Sequence, residues 1–202
     1  MKIVVIGASG DVGRFVVEEL ARDGKHDIIR VGRTQGDHQV DITSDESVDA
    51  LFKKIGRIDA IIVAAGNVIL APIAEMTTAN FHKGLQDKLL SQVRVVLVGQ
   101  HYLNDGGSIT LTSGIAVDNP IAQGSNAATS NAGLEGFVRA AACDFSRGIR
   151  INAVNPTMLT ESMDRFGPFF PGYESVSGAR VAMAYRRSVE GVQTGRVYRV
   201  GH

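Results

Sequence analysis

The first 23 residues run from a strand through a glycine loop into a helix. Lys2-Ile3-Val4-Val5-Ile6 is a continuous apolar run, and Gly7-Ala8-Ser9-Gly10-Asp11-Val12-Gly13 spaces three glycines as GxxGxxG. Val12, Phe15, Val16 and Leu20 then recur at helical spacing, with Glu18, Glu19, Arg22 and Asp23 mostly opposite and Gly24 as the stop. Glycines also serve ordinary tight turns. Placed where a buried strand becomes an amphipathic helix, they let the backbone approach a diphosphate and turn the helix's free N–H groups and positive dipole end toward it. The segment predicts a nucleotide-binding loop, with Gly7, Ser9, Gly10, Asp11, Val12 and Gly13 as its contacts.

Strands and helices alternate along the rest of the chain. Asp27 to Val31, Gln39-Val40, Asp59 to Gly66, Ser108 to Thr112, Ile149 to Val154 and Arg196 to Val200 read as further strands. Helices are expected after Ser44, a suitable N-cap, and over Thr78 to Leu103, Ser125 to Arg147 and Ala179 to Val189. Asn155 to Gly178 is an irregular stretch carrying Phe166, Phe169, Phe170 and Tyr173 among prolines, of a length expected of a functional loop or lid. Alternation of this kind implies an α/β fold: a three-layer, doubly wound parallel sheet with helices on both faces and a ligand crevice at the carboxyl ends of the strands.

A chain of 202 residues with 44% hydrophobic content is expected to form one domain. Lysine plus arginine and aspartate plus glutamate both number 21, so no basic block tracks a nucleic acid backbone. No apolar span or leader is read, no metal site is expected, and the lone Cys143 is expected to be a buried structural thiol. These features point to a cytoplasmic protein.

Several segments resemble the short-chain dehydrogenase/reductase family. Beyond the glycine loop these are Val63-Ala64-Ala65-Gly66, Gly107 to Ser113, Ala132-Gly133-Leu134-Glu135-Gly136, and Gly148-Ile149-Arg150-Ile151-Asn152-Ala153-Val154-Asn155-Pro156. The resemblance covers nearly the whole chain. It implies a Rossmann-type fold, hydride transfer between a nicotinamide cofactor and a small-molecule substrate, and a homodimer built on the two long helices.

The same resemblance implies a serine, a tyrosine and a lysine four residues after the tyrosine. No YxxxK occurs here, and the three positions read Gly114, Ala127 and Asn131. Hydride transfer to a carbonyl leaves an alkoxide that needs a proton, and positioned general acids contribute roughly a hundred- to ten-thousand-fold in rate. Neither glycine nor alanine supplies one. Lys88, near the position of the family's helix asparagine, is a candidate replacement charge beside Ser113 and Thr112; the plain alternative is a solvated surface lysine. Ser113 is a second candidate, with a hydroxyl satisfied by its surroundings as the alternative. Tyr102 and Tyr173 are possible donors that ordinary packing would equally explain.

NAD-selective sites place an acid at the end of the second strand, whereas NADP brings a phosphate there. Here that end reads Gly32-Arg33-Thr34, with Arg14 a possible second cation, which predicts NADP(H) in preference to NAD(H). The resemblance further implies Asp41 and Ile42 at the adenine, Ala65 and Gly66 at the ribose, and Pro156, Thr157 and Leu159 at the nicotinamide, with Thr157 where the family usually has glycine. Two functions remain open: an oxidoreductase with a non-standard site, or a degenerate NADP(H)-binding sensor or scaffold.

Overall fold

A computed structural model describes residues 1–202. Seven strands, β1 (Lys2–Ile6), β2 (Asp27–Gly32), β3 (His38–Gln39), β4 (Ile58–Val63), β5 (Leu103–Thr112), β6 (Arg150–Pro156) and β7 (Val197–Val200), form one parallel sheet in the order β3-β2-β1-β4-β5-β6-β7. Alternating residues of β1 serve opposite layers. Val4 and Ile6 join Phe52, Ile61 and Leu134 on one face, while Ile3 and Val5 join Leu20, Ile62 and Tyr185 on the other. Each such side chain taken fully from water contributes about 1.5–3 kcal/mol before entropy is charged against it.

The first face is covered by α2 (Asp45–Ile55), α4 (Ser91–Gly99) and α5 (Ser125–Asp144); the second by α1 (Gly13–Ala21) and α7 (Gly178–Glu190). Ser44 caps α2 as expected, its Oγ accepting from the Ser47 N–H at 3.1 Å. Glu19 was expected on the polar face of α1, yet it is buried, held by Arg22 and by Arg186 of α7. Cys143 departs from expectation in the other direction. It lies exposed on α5.

The long helical pattern also differs from its reading. It is α3 (Thr78–Leu85), a π turn over Gln86–Leu90, then α4 and a 3-10 turn ending at Tyr102. Leu103, the expected end of the helix, is instead the first residue of β5 and pairs with Ile58. A register shift between Ile58 and Ala60 accommodates the early start. Short turns, including α6 (Met163–Phe166), occupy the segment before α7. No helix is long and apolar enough to cross a membrane.

Candidate active site

The glycine loop emerges from the carboxyl end of β1. A side chain at Gly13 would come within 1.9 Å of the Gly7 carbonyl oxygen, so only glycine lets α1 start this close to the strand. Gly10 N–H folds back on the Gly7 carbonyl at 3.0 Å, whereas those of Ser9, Asp11 and Val12 take no protein acceptor. The first turn of α1 has neither a capping side chain nor an acid in it. An anion is the natural complement of such a helix end.

Two cavities flank this loop and share Gly66. The outer one, of about 290 Å³, is bounded by Gly7, Arg33, Asp41, Ile42, Ala65 and Gly66. Gly32 carries no carboxylate to repel a phosphate, and the Gln35 carbonyl lies 2.4 Å from where its Cβ would be. Asp41 binds the N–H and hydroxyl of Thr43 at 2.9 and 2.7 Å, which holds its carboxyl below the usual range. Thr34 does not line this cavity; its carbonyl accepts from Gln39. Arg14 lies over the Phe15 ring. Free N–H groups, an acid-free β2 end and two adjoining cavities together fit a dinucleotide.

The inner cavity, of about 260 Å³, brings together Lys88, Ser113, Gly114, Ala127 and Asn131 with Asp11, Val12, Pro156, Thr157 and Leu159. Lys88 belongs to the π turn and is only 9% exposed, so the solvated alternative is excluded. Gly66, at φ +124, makes this possible: its Cβ would meet Lys88 Cδ at 3.0 Å and the Asp87 carbonyl at 3.1 Å. Gln92, fully buried, donates to the carbonyls of Lys88 and Thr112 at 3.2 and 3.0 Å and accepts from Thr112 N–H at 2.9 Å. It ties the π turn to the end of β5. Burial alone pushes the Lys88 ammonium down to about 8, with no carboxylate to offset it.

Ser113 behaves differently. Its hydroxyl donates to the buried carboxylate of Glu135 at 3.1 Å, which also accepts from Asn155 at 2.8 Å and from Arg139 at 3.1 Å. Asn155 in turn reaches Asp118, whose partner Arg199 holds that carboxyl low. Thr157 is similarly engaged, its hydroxyl donating to the Glu174 carbonyl at 3.1 Å. Asn131 Nδ2 makes a long bond of 3.4 Å to the Gly114 carbonyl. Neither candidate tyrosine enters the crevice: Tyr102 stacks on Phe52, and the Tyr173 hydroxyl donates to the Asn119 carbonyl at 2.9 Å.

The roof comes from the segment after β6. Phe166 and Phe170 face the inner cavity, and Arg165 beside them forms an ion pair with Asp11 of the glycine loop. Gln92, Glu135 and Asn155 were missed in the sequence reading. Only Gln92 left a signal, a polar residue on the stripe occupied by Val95, Val96 and Gly99.

Comparison with known proteins identifies the family. The sequence model of a family described as enoyl-(acyl carrier protein) reductase matches residues 2–198. Hydroxynaphthalene reductase arp2 of Aspergillus fumigatus is 26% identical over 208 residues, covering 90% of this chain and 76% of the relative. The crystal structure of the protein lin1944 from Listeria innocua is 43% identical, covers 98% of each chain and superposes with a TM-score of 0.96. A small-chain dehydrogenase crystallised in complex with NADPH is 26% identical, with 99% of this chain and 96% of that one covered and a TM-score of 0.87. Such likeness supports a nicotinamide cofactor. The chain belongs to the short-chain dehydrogenase/reductase family.

Proposed function

We propose that the protein is an NADP(H)-dependent oxidoreductase acting on a small carbonyl or alcohol, with Lys88 in the role the family gives to tyrosine. The observation that carries this reading is the buried, unpaired ammonium of Lys88 in the same cavity as Gly114, Ala127 and Asn131. The reduced nicotinamide supplies the hydride when bound. Ser9, Asp11 and Val12 offer their N–H groups to the diphosphate, and Arg33, at the rim of the outer recess, receives the 2′-phosphate that distinguishes NADP. Lys88 holds at Nζ the proton that a substrate oxygen needs, while Phe166 and Phe170 exclude water. NADPH consumption across aldehydes, ketones and quinones, repeated with Lys88→Met, tests the reading; equal turnover in both proteins overturns it.

A second reading, an NADP(H)-binding sensor or scaffold, is favoured by the Ser113 hydroxyl's engagement with Glu135. It requires cofactor binding, seen by NADPH fluorescence, with no consumption of any acceptor. For either function we propose a homodimer through the two long helices. Leu90 and Leu97 are 45% and 54% exposed, and Ala132, Gly136 and Ala140 leave an open, small-residue surface on α5. A monomer mass by light scattering at micromolar concentration would exclude it.

A further inference from the structure

The inner cavity is walled largely by carbon, and its lining holds only two charged groups, the buried Lys88 and the exposed Asp11. Asp11 is already paired with Arg165. Glu135, behind Ser113, is bonded by Ser113, Asn155 and Arg139. Lys88 alone has no partner of opposite charge, and a ligand bringing one negative charge relieves its isolation.

The donor count narrows the class of that ligand. A carboxylate offers about four lone-pair sites on two oxygens, and a phosphate more, each asking for several donors. The wall provides one ammonium, the loosely held amide of Asn131 and the hydroxyl of Ser162, which has no protein partner. A phenolate asks for less, because its single oxygen shares the charge with the ring. The ring itself is apolar and matches Ile121, Leu159, Phe166 and Phe170.

We propose that the inner crevice binds a small aromatic hydroxyl compound as its monoanion, the phenolate oxygen on Lys88 Nζ and the ring among Ile121, Leu159, Phe166 and Phe170. Only the ligand's standing as substrate or product rests on the oxidoreductase reading; binding belongs to the chain without cofactor.

Absorbance titration of 4-nitrophenol with the full chain, NADPH omitted, tests this. The bound phenol is expected to ionise at least about one pH unit below the free compound, equivalent to roughly tenfold tighter binding of the anion. Lys88→Arg keeps the shift and Lys88→Met abolishes it, while 4-nitrotoluene, uncharged and of similar shape, binds at least roughly tenfold more weakly than the phenolate. Absence of binding, ionisation at or above the free value, a shift that survives in folded Lys88→Met, or equally tight 4-nitrobenzoate each overturns the proposal. Should Lys88→Met not fold, the shift and the nitrotoluene comparison in the natural chain decide. An intact shift with no NADPH consumption from any acceptor removes the hydride-transfer reading and leaves this site standing; consumption without the shift does the reverse.

Discussion

The Ser113 hydroxyl donates to the Glu135 carboxylate at 3.1 Å, and both residues are buried. That bond turns the hydroxyl proton of the residue next to Gly114 toward Glu135, which does not line the crevice. To give it to a substrate, Ser113 would strip a donor from a buried carboxylate, which costs more than an ordinary hydrogen bond returns. Lys88, facing the same cavity with no acceptor of its own, is under no such constraint.

Ser113→Ala is therefore expected to act on stability more than on turnover. Losing one hydrogen bond to a charged group destabilises by about 1.5–3 kcal/mol in urea unfolding, while kcat changes less than roughly tenfold. A hundredfold fall in kcat with unchanged stability would make Ser113 the donor.

Lys88→Met is expected to lower kcat/KM by roughly a hundred- to ten-thousand-fold and to change the Kd for NADPH far less, because Lys88 does not line the outer recess. In the natural chain, reduction should hold level below pH about 8 and decline above it as the ammonium loses its proton. Stopped-flow rates across that range check both expectations.

Local signals carried the fold well. The strand, glycine loop and helix at the start and the Ser44 cap each depend on residues within a few positions, and each stands where the sequence places it. The break in the long helix does not work that way. The π turn depends on Gly66, some twenty positions earlier, and on Gln92 reaching β5, so nothing within the helical pattern marks it. Leu103 read as helix because apolar spacing continues into it, and the pairing with Ile58 overrides that spacing. Likewise the Glu135 cluster gathers Ser113, Asn155 and, through Asp118, Arg199 from separate segments. Ser113 could be singled out from sequence, but not the partner that occupies it.

Cofactor choice is expected to turn on Arg33. Arg33→Ser should weaken NADPH by roughly ten- to hundredfold, the range for a lost charge-assisted bond, and leave NADH unchanged in fluorescence titration. Gly32→Asp does not simply convert the preference, since the Gln35 carbonyl occupies the space of its Cβ and the loop must move first.

Arg186 joins α7 to α1 by pairing with Glu19, and it also pairs with Asp23 just after α1 and with Glu190 on its own helix. Arg186→Met leaves the buried Glu19 with only Arg22 and should lower Tm by several degrees. The carboxyls of Asp23 and Glu190 are held below their ordinary values, Asp23 by Lys25 and Arg186, Glu190 by His26 and Arg186. Their contribution is present above the ordinary carboxylate range and lost as pH falls through the lowered one. Calorimetry should find the variant's deficit shrinking in acid.

The buried ammonium also makes a prediction for stability without any ligand. In the unfolded chain Lys88 titrates near its ordinary value of 10.5, and in the folded chain at about 8. Between those values the unfolded state holds a proton that the folded state has released, so rising pH favours folding across that window. Below pH about 8 the full cost of burying the charge is present, on the order of 3 kcal/mol at about 1.36 kcal/mol per unit. Lys88→Met removes that cost and fills nearly the same space. It should therefore be more stable than the natural chain at pH 7, and the advantage should shrink toward zero as the pH approaches 10.5. Groups common to both proteins cancel in the difference between their urea midpoints. A difference that stays constant from pH 7 to 10 would mean that Lys88 reaches water in the folded protein and carries no unpaired buried charge.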